Sequence, residues 1–194
     1  MVYFGSPKYS DGSYVEITGS QSHQILIDTT LVKSPTKQLS TTTKVKSGLP
    51  LRLEIPKINI NTIIKHMGIT SQGAMDMSKG ATDVVRFNLG PRPGNTGSAV
   101  IAGHYWVWKD GSISVFHDLY TLNKGDKIYI ENDKGEIISF VVRKSTIYGS
   151  HDNTSEVFSS NDGKSHLNII TCAGVRDTIV KTYPNRLVVF TDKE

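Results

Sequence analysis

Three residues in this sequence have the chemistry for acyl transfer through a thiol. Cys172 is the only cysteine among 194 residues, and it ends the apolar run "LNIITC". A cysteine nucleophile needs a partner that generates or stabilises the thiolate and later donates a proton, and histidine does this near neutral pH. Acyl transfer also places negative charge on the carbonyl oxygen, which a fixed cationic donor stabilises. A histidine and an arginine close to Cys172 would complete a catalytic site.

His104 and Arg186 are the candidates for these two roles. His104 is one of six histidines, and it follows "SAVIAG", a run that reads as a strand and ends in small residues. Arg186 opens the last predicted strand, "RLVVF". Each residue alone has an ordinary structural interpretation, as a buried cysteine, a solvent-facing histidine or a surface arginine. Three strand ends that carry these side chains form a joint pattern, and it predicts a thiol-based site at one rim of a sheet.

Short strands separated by turns dominate the sequence after residue 50 and must position these side chains. The segments with strand character are "LRLEIPKINI", "NTIIKH", "GSAVIAGHY", "DKIYIEN", "EIISFVVRKSTIY", "HLNIITCA" and "RLVVFTD". Only "SVFHDLYTL", with Ser114 as its N-cap, reads as a short helix. Many strands with few helices favour a closed barrel, because closure removes strand edges. We predict a mainly β fold with one or two short helices.

The chain divides into a tail and a single domain. Residues 32–48, "VKSPTKQLSTTTKVKSG", are rich in Ser, Thr and Lys and poor in large apolar side chains, so burial cannot offset the entropy of ordering. We therefore expect residues 1–49 to form a partly flexible tail or linker and residues 50–194 to form the domain. No apolar run approaches the roughly 18 to 20 residues that a membrane-spanning helix needs.

Composition argues against several other classes of function. The formal charge of +4 comes from scattered lysines and not from a basic patch interleaved with aromatics, so nucleic-acid binding is not expected. A single cysteine excludes an internal disulfide and a multi-cysteine metal site. Asp152, Glu156 and Asp162 share one loop, but their spacing matches no ordered calcium loop, and we expect them to be solvated. No metal or cofactor is predicted.

The motifs around the three residues resemble a known family. "AVIAGHY", "LNIITCAG" and "NRLVVF" are similar, in that order, to the histidine, cysteine and arginine strands of sortases, the cysteine transpeptidases of Gram-positive cell surfaces. "LRLEIPKINI", "GPRPGNTGSAVIAGH" and "VFHDLYTLNKGDKIYI" extend the resemblance over roughly residue 50 to the C-terminus. It implies an eight-stranded β-barrel of sortase type. The motif "ITCAG" is most similar to that of class E and class F sortases. No Asp-Pro-aromatic lid element is found in the tail.

The resemblance implies a ping-pong reaction. Cys172 would attack the carbonyl after the threonine of a signal resembling Leu-Pro-any-Thr-Gly and form a thioacyl enzyme. His104 would act as general acid and then as base, and Arg186 would hold the substrate and stabilise the oxyanion. The amine would come from a peptidoglycan precursor. The enzyme would act at the cell surface, with a membrane anchor expected to lie outside this chain.

The resemblance also suggests residues that contact the substrate. These are Ala102, Trp106, Val157, Phe158, Ile170 and Thr171, of which Val157 and Phe158 belong to the long loop "GSHDNTSEVFSSNDGKS". Two other functions remain open at this point. One is a hydrolytic cysteine peptidase with the same site, and the other is a non-catalytic β-barrel binding module.

Overall fold

The computed structural model describes residues 48–68, 70–71, 75–108, 110–177, 179 and 183–194. The predicted tail, apart from residues 48–49, lies outside this part of the chain. In the residues described, no helix combines the length and the apolar character needed to span a bilayer.

Eight strands form a closed barrel, which confirms the predicted fold class. The strands are β1 (Pro50–Ile55), β2 (Ile60–Met67), β3 (Val84–Phe87), β4 (Gly97–Gly103), β5 (Lys127–Asn132), β6 (Ile137–Tyr148), β7 (Ser165–Ala173) and β8 (Asn185–Lys193). A short α-helix, α1 (Ser155–Phe158), and two 3-10 helices (Pro56–Ile58 and Leu119–Thr121) complete the described elements. Around the barrel the order is β1-β2-β3-β4-β7-β8-β6-β5, and β5 pairs with β1.

The directions of three strands decide where the site can form. β4 and β7 are parallel neighbours, and β7 and β8 are antiparallel neighbours. The carboxyl ends of β4 and β7 therefore meet at the same rim as the beginning of β8. The strand ends that carry the three candidate residues come together for this reason alone, before any side chain is considered.

β4, β7 and β8 are buried on both faces. Along β4, Ala99 and Ile101 belong to the barrel interior, whereas the alternating Val100 and Ala102 belong to a second apolar cluster. Since successive strand residues point to opposite faces, the second cluster covers the outside of the sheet. α1 contributes Val157 to this outer cluster. Burial on both sides explains why these strands read as continuous apolar runs in the sequence.

One strand was not predicted from the sequence, and one predicted helix is not formed. β3 was not predicted because it has only four residues and carries a charge, Arg86, which is buried and donates hydrogen bonds to the carbonyl oxygens of Phe87 and Gly90. The predicted helix "SVFHDLYTL" forms turns followed by the 3-10 helix. Ser114 is not its N-cap, because the 3-10 helix begins after Asp118, and the Ser114 hydroxyl accepts a 2.9 Å hydrogen bond from Trp108 Nε1.

A buried histidine joins β7 to its neighbours at the opposite end of the strand. His166 Nδ1 lies 2.8 Å from an oxygen of Asp192 on β8, and Nε2 lies 3.0 Å from an oxygen of Asp162. The hydrogen bond with His166 is the main cause of a pKa for Asp162 that lies well below the usual range. This contact ties the end of the β6–β7 loop to the barrel.

Replacing Asp162 by Asn should lower the free energy of unfolding at neutral pH. A carboxyl whose pKa is lowered by folding stabilises the protein above its unfolded pKa of about 4 and loses that contribution as pH falls through its folded pKa. The difference in the free energy of unfolding between wild type and Asp162→Asn should therefore be smaller at acidic pH. Urea unfolding at neutral and acidic pH measures it. Asp118→Asn, at another exposed aspartate, should show little effect. A gap that is independent of pH would contradict the argument.

Candidate active site

The ends of β4 and β7 are aligned residue by residue. The last registered pair is Ala102 with Ile170, and His104 and Cys172 each follow two residues later. The Thr171 hydroxyl donates a 2.9 Å hydrogen bond to the carbonyl oxygen of Gly103. This buried bond connects the residue before the cysteine to the residue before the histidine. It therefore fixes the two strand ends against each other where the reactive side chains begin.

Two glycines fit the backbone of the rim to its surroundings. A Cβ atom on Gly103 would lie 2.6 Å from the ring of Phe116 and 2.7 Å from a methyl of Val115, so no larger residue fits before His104 without displacement. Gly174 has φ of 84°, a conformation that side chains disfavour, and it turns the chain away two residues after Cys172. Close packing thus requires the glycine before His104, and the turn after β7 favours the glycine that follows Cys172 by two residues.

Arg186 lies directly across from the cysteine. Cys172 and Arg186 are registered partners of β7 and β8, and the arginine is 9% exposed. Its Nη1 donates hydrogen bonds to the carbonyl oxygens of Tyr183 at 2.7 Å and Asn185 at 2.8 Å. These bonds hold the guanidinium group at the rim. Residues 170, 172, 186 and 188 alternate onto the outer face of the sheet, so the thiol and the cation share that face with the outer cluster.

The environment of the thiol favours its neutral form. Burial raises the pKa of Cys172, and the charge of Arg186 opposes this increase without cancelling it. A buried thiolate is costly because it loses hydration, whereas the nearby cation recovers part of that cost. The resting cysteine is therefore a thiol at neutral pH, and a base must remove its proton before it can act as a nucleophile.

His104 is half-buried and contacts the segment that connects β2 and β3. Its Nε2 lies 2.7 Å from the carbonyl oxygen of Ser78. Trp106 and Trp108 both contact the imidazole, with ring centroids 4.7 Å and 5.7 Å from it, and they contact each other with centroids 5.5 Å apart. Trp106 also stacks on Tyr183, with centroids 6.0 Å apart and an angle of 5° between the rings. An aromatic wall thus lies on one side of the histidine and joins the β4–β5 and β7–β8 connections.

Four of the predicted substrate contacts belong to the outer cluster. Ala102, Ile170 and Val157 are almost completely buried there, and Phe158 packs against them at the edge. From the segment before Ser78, Met75 is a buried member of the same cluster and Met77 packs against it. Trp106 lies beside His104 instead, and Thr171 makes the hydrogen bond to Gly103 described above. Ala102 and Ile170 therefore lie two residues before His104 and Cys172, and Ile170 is on the same face of the sheet as the thiol.

The carboxylates of the β6–β7 loop contact protein groups. Asp152 accepts a hydrogen bond from the backbone N–H of Gly149, and Asp162 bonds to His166. Glu156 accepts hydrogen bonds from Lys144 at 2.9 Å and from the hydroxyl of Tyr148. Within the described residues, no cluster of three or more His, Cys, Asp and Glu side chains is arranged to hold a metal ion.

Two contacts at the site could not be found from the sequence. Ser78 lies 26 residues before His104 in a segment without strand or helix periodicity, and Tyr183 lies in the connection after β7. "SKGATD" has the composition of a turn, but nothing in it indicates which side chain the turn will contact. The signal that identified the three rim residues, a strand ending in a reactive side chain, does not apply to either of them.

The comparison with protein families agrees with this arrangement. The family model of the Sortase domain matches residues 53–194, which is most of the chain. The chain belongs to the sortase family. A search of curated proteins finds no match. Sortases are cysteine transpeptidases, so the lone cysteine at the rim is the expected nucleophile of the family, and the prediction of a sortase is confirmed at this level.

Solved sortase structures share the fold. A lid mutant of sortase A from Corynebacterium diphtheriae is 21% identical, with a TM-score of 0.59 over 75% of this chain and 70% of the other. Sortase C-1 from Actinomyces oris is 22% identical, with a TM-score of 0.55 over 74% and 72%. A Clostridium perfringens sortase D5 transpeptidase is 21% identical, with a TM-score of 0.54 over 76% and 79%. These three are sortases of classes A, C and D, so the resemblance to class E and class F is not confirmed.

Replacing Thr171 by Val should slow turnover of a Leu-Pro-any-Thr-Gly peptide, the substrate class that the resemblance implies. The change leaves the Gly103 carbonyl without its partner and should cost about 1–3 kcal/mol of stability. Thr191→Val is a matched control, because the Thr191 hydroxyl donates a similar buried 2.7 Å bond to the Leu167 carbonyl away from the rim. Both variants should be destabilised, but only Thr171→Val should slow turnover of the remaining folded protein. Equal rates for the two variants would contradict the positioning role of Thr171.

Alkylation of Cys172 by iodoacetamide should require a higher pH in the folded protein than in the unfolded protein. Burial raises the folded pKa, so the thiolate fraction at a given pH is smaller than for an ordinary thiol with a pKa of about 8.5. Arg186→Gln removes the opposing charge and should move the profile to still higher pH. The measurement is the alkylation rate against pH, with the same protein in urea as reference. A folded midpoint at or below the unfolded one would contradict this assignment.

Proposed function

We propose that this sortase-family protein cleaves an LPXTG-like sorting signal between threonine and glycine and joins the threonine to an amine. The observation that supports this most directly is the register of β4, β7 and β8. That register brings His104, Cys172 and Arg186 to one rim and faces the thiol and the guanidinium group toward the same side. A nucleophile, a proton carrier and a fixed cation are the groups that acyl transfer requires.

The proposed reaction begins with transfer of the Cys172 proton to His104. The sulfur then attacks the threonine carbonyl, and negative charge develops on its oxygen, where the guanidinium group of Arg186 stabilises it. As the carbon–nitrogen bond breaks, His104 returns the proton to the departing glycine amine and the thioacyl enzyme remains. An incoming amine gives its proton to His104 and attacks the thioester carbonyl. As that intermediate collapses, the carbon–sulfur bond breaks, the joined product leaves, and His104 returns the proton to the sulfur.

The outer cluster is the proposed binding surface for the apolar part of the signal. Ala102 and Ile170 are next to the reactive residues on the same face, and Val157 and Phe158 of α1 border them. Because Ala102 and Ile170 are about 1% exposed, a leucine or proline side chain can reach them only when the covering side chains move apart. Phe158 and Met77 are only partly buried and lie at the margin of the cluster, so they are the residues we expect to move.

The proposed sortase subclass is based on sequence motifs. We propose a class E-like or class F-like housekeeping sortase that anchors single proteins, because "ITCAG" carries that resemblance and a pilin-type lid element is not found in the tail sequence. Its amine would be supplied by a peptidoglycan precursor at the outer surface of a Gram-positive bacterium. Residues 50–194 would form the catalytic domain, and residues 1–49 would link it to an anchor outside this chain.

The test is intact mass spectrometry of the protein mixed with Leu-Pro-any-Thr-Gly peptides, with and without triglycine. We expect an adduct on Cys172 that disappears as peptide joined to triglycine accumulates. Cys172→Ala should remain folded, because the substitution removes one half-buried sulfur, but it should form neither adduct nor product. Hydrolysed peptide without any joined product would instead identify a peptidase. No adduct from folded wild-type protein would refute the proposal and favour a binding module.

A further inference from the structure

The contact between His104 and Ser78 determines which imidazole nitrogen carries a proton in the neutral ring. A backbone carbonyl oxygen can only accept a hydrogen bond, so Nε2 must donate across the 2.7 Å that separates it from the Ser78 oxygen. A neutral imidazole has one N–H, and Nδ1 is then the nitrogen with a free lone pair. Ser78 lies in the segment between β2 and β3, so the strand pairing at the rim does not fix its position and other contacts must do so.

A network of side chains holds Ser78 in place. The Ser78 hydroxyl donates to the Asp83 carboxylate, and Lys65 on β2 donates to the same carboxylate at 2.6 Å and to the hydroxyl at 3.2 Å. Asp83 also accepts a 3.1 Å hydrogen bond from the backbone N–H of Gly80. The carboxylate therefore closes the turn between residues 78 and 83 and connects it to a strand. Its pKa is lowered, chiefly by the hydrogen bond from Lys65, so it remains ionised at neutral pH.

The fold places this turn directly beside the histidine. Asp83 immediately precedes β3, whose first residue, Val84, is registered with Gly103 at the end of β4. The turn is also attached to the β4–β5 connection, because the backbone N–H of Val115 donates a 3.0 Å hydrogen bond to the carbonyl of Ala81. The turn is thus bonded to β2 and to the chain after β4. It can hold a carbonyl oxygen at a constant position relative to the imidazole.

We propose that Asp83 is a positioning residue of the reaction: it holds the Ser78 carbonyl against His104 Nε2, so that Nδ1 is the nitrogen that exchanges protons. This inference rests on the proposed transpeptidation. The proton first passes from Sγ to Nδ1, before the carbon–sulfur bond forms, and later passes from Nδ1 to the departing amine as the carbon–nitrogen bond breaks. The carbonyl dipole stabilises the imidazolium between these steps, the function that a carboxylate has in a Ser-His-Asp triad.

The chain contains a closely matched control for Asp83. Asp126 closes a turn in the same way, since its carboxylate accepts a 2.8 Å hydrogen bond from the backbone N–H of Asn123, three residues earlier. In both turns the aspartate N–H also donates to the carbonyl of that earlier residue. Asp126 precedes β5 and is not bonded to Ser78 or Lys65 in the described contacts. Asp83→Ala and Asp126→Ala therefore remove the same local turn bond, but only the first releases Ser78.

The first measurement is the tautomer of His104 by nitrogen NMR of the full chain labelled in histidine, at a pH where the imidazoles are neutral. Wild type and Asp126→Ala should show a protonated Nε2 and an unprotonated Nδ1. Asp83→Ala and Ser78→Ala should show a mixture of the two tautomers, whereas Ser78→Thr, which retains the hydroxyl, should restore the wild-type spectrum. A proton on Nδ1 in wild type, or identical spectra for Asp83→Ala and Asp126→Ala, would overturn the proposal.

The second measurement is turnover of the sorting-signal peptide. A displaced imidazole should lower kcat by about 10- to 100-fold in Asp83→Ala and Ser78→Ala and leave KM nearly unchanged, since geometry for proton transfer is lost and substrate binding is not. A change confined to KM, or a loss of kcat equal to that of Asp126→Ala, would contradict the positioning role. If Asp83→Ala does not fold, Ser78→Ala tests the same contact while leaving the Gly80–Asp83 bond intact. Absence of wild-type turnover would refute the transpeptidase, and the NMR result would still decide whether Asp83 orients His104.

Discussion

The parallel pairing of β4 with β7 is the constraint on which the site depends. In a parallel pair both strands reach the same rim at their carboxyl ends, so a reactive side chain at the end of each strand lies at the same rim as its partner without a specialised loop. The bond from Thr171 to the Gly103 carbonyl fixes this alignment at the last residue before each reactive side chain. The parallel register aligns the two strand ends, and the hydrogen bond from the Thr171 hydroxyl also restrains the strands from sliding along each other. The antiparallel pairing with β8 then places Arg186 opposite Cys172.

Burial on both faces explains why the chemistry is confined to strand ends. Along the middle of β4 and β7, one face supports the barrel interior and the other supports the outer cluster, so a charged side chain there would lose its hydration without gaining a partner. At the rim, β7 ends and Gly174 directs the chain away, which leaves Cys172 half-buried. The thiol is therefore partly shielded yet within reach of a peptide. The same arrangement places the apolar residues of the outer cluster beside it.

The sequence predicted those parts of the structure that depend on local patterns. Alternation in "DKIYIEN" and the long apolar runs identified strands, and closure followed from their number and the scarcity of helices, as the barrel confirms. The strand-end pattern identified His104, Cys172 and Arg186, which the fold brings together. β3 was missed because Arg86 interrupts a short apolar run, and its burial depends on carbonyl groups of the following turn that no local pattern reveals. Ser78 was missed for a similar reason, since its contact with His104 depends on the pairing of β3 with β4.

The resting protonation state links these features to the chemistry of the proposed reaction. Burial holds Cys172 in the thiol form, and the Ser78 carbonyl requires a proton on Nε2 of His104. A thiol beside a neutral imidazole has the same number of protons as a thiolate beside an imidazolium, so the two states differ only in where one proton lies. A substrate that fills the rim replaces water near Arg186 and strengthens its attraction for negative charge on the sulfur and on the carbonyl oxygen. Removal of water also raises the cost of a thiolate, as burial already does at Cys172, so the charged pair forms only where Arg186 and the imidazolium offset that cost.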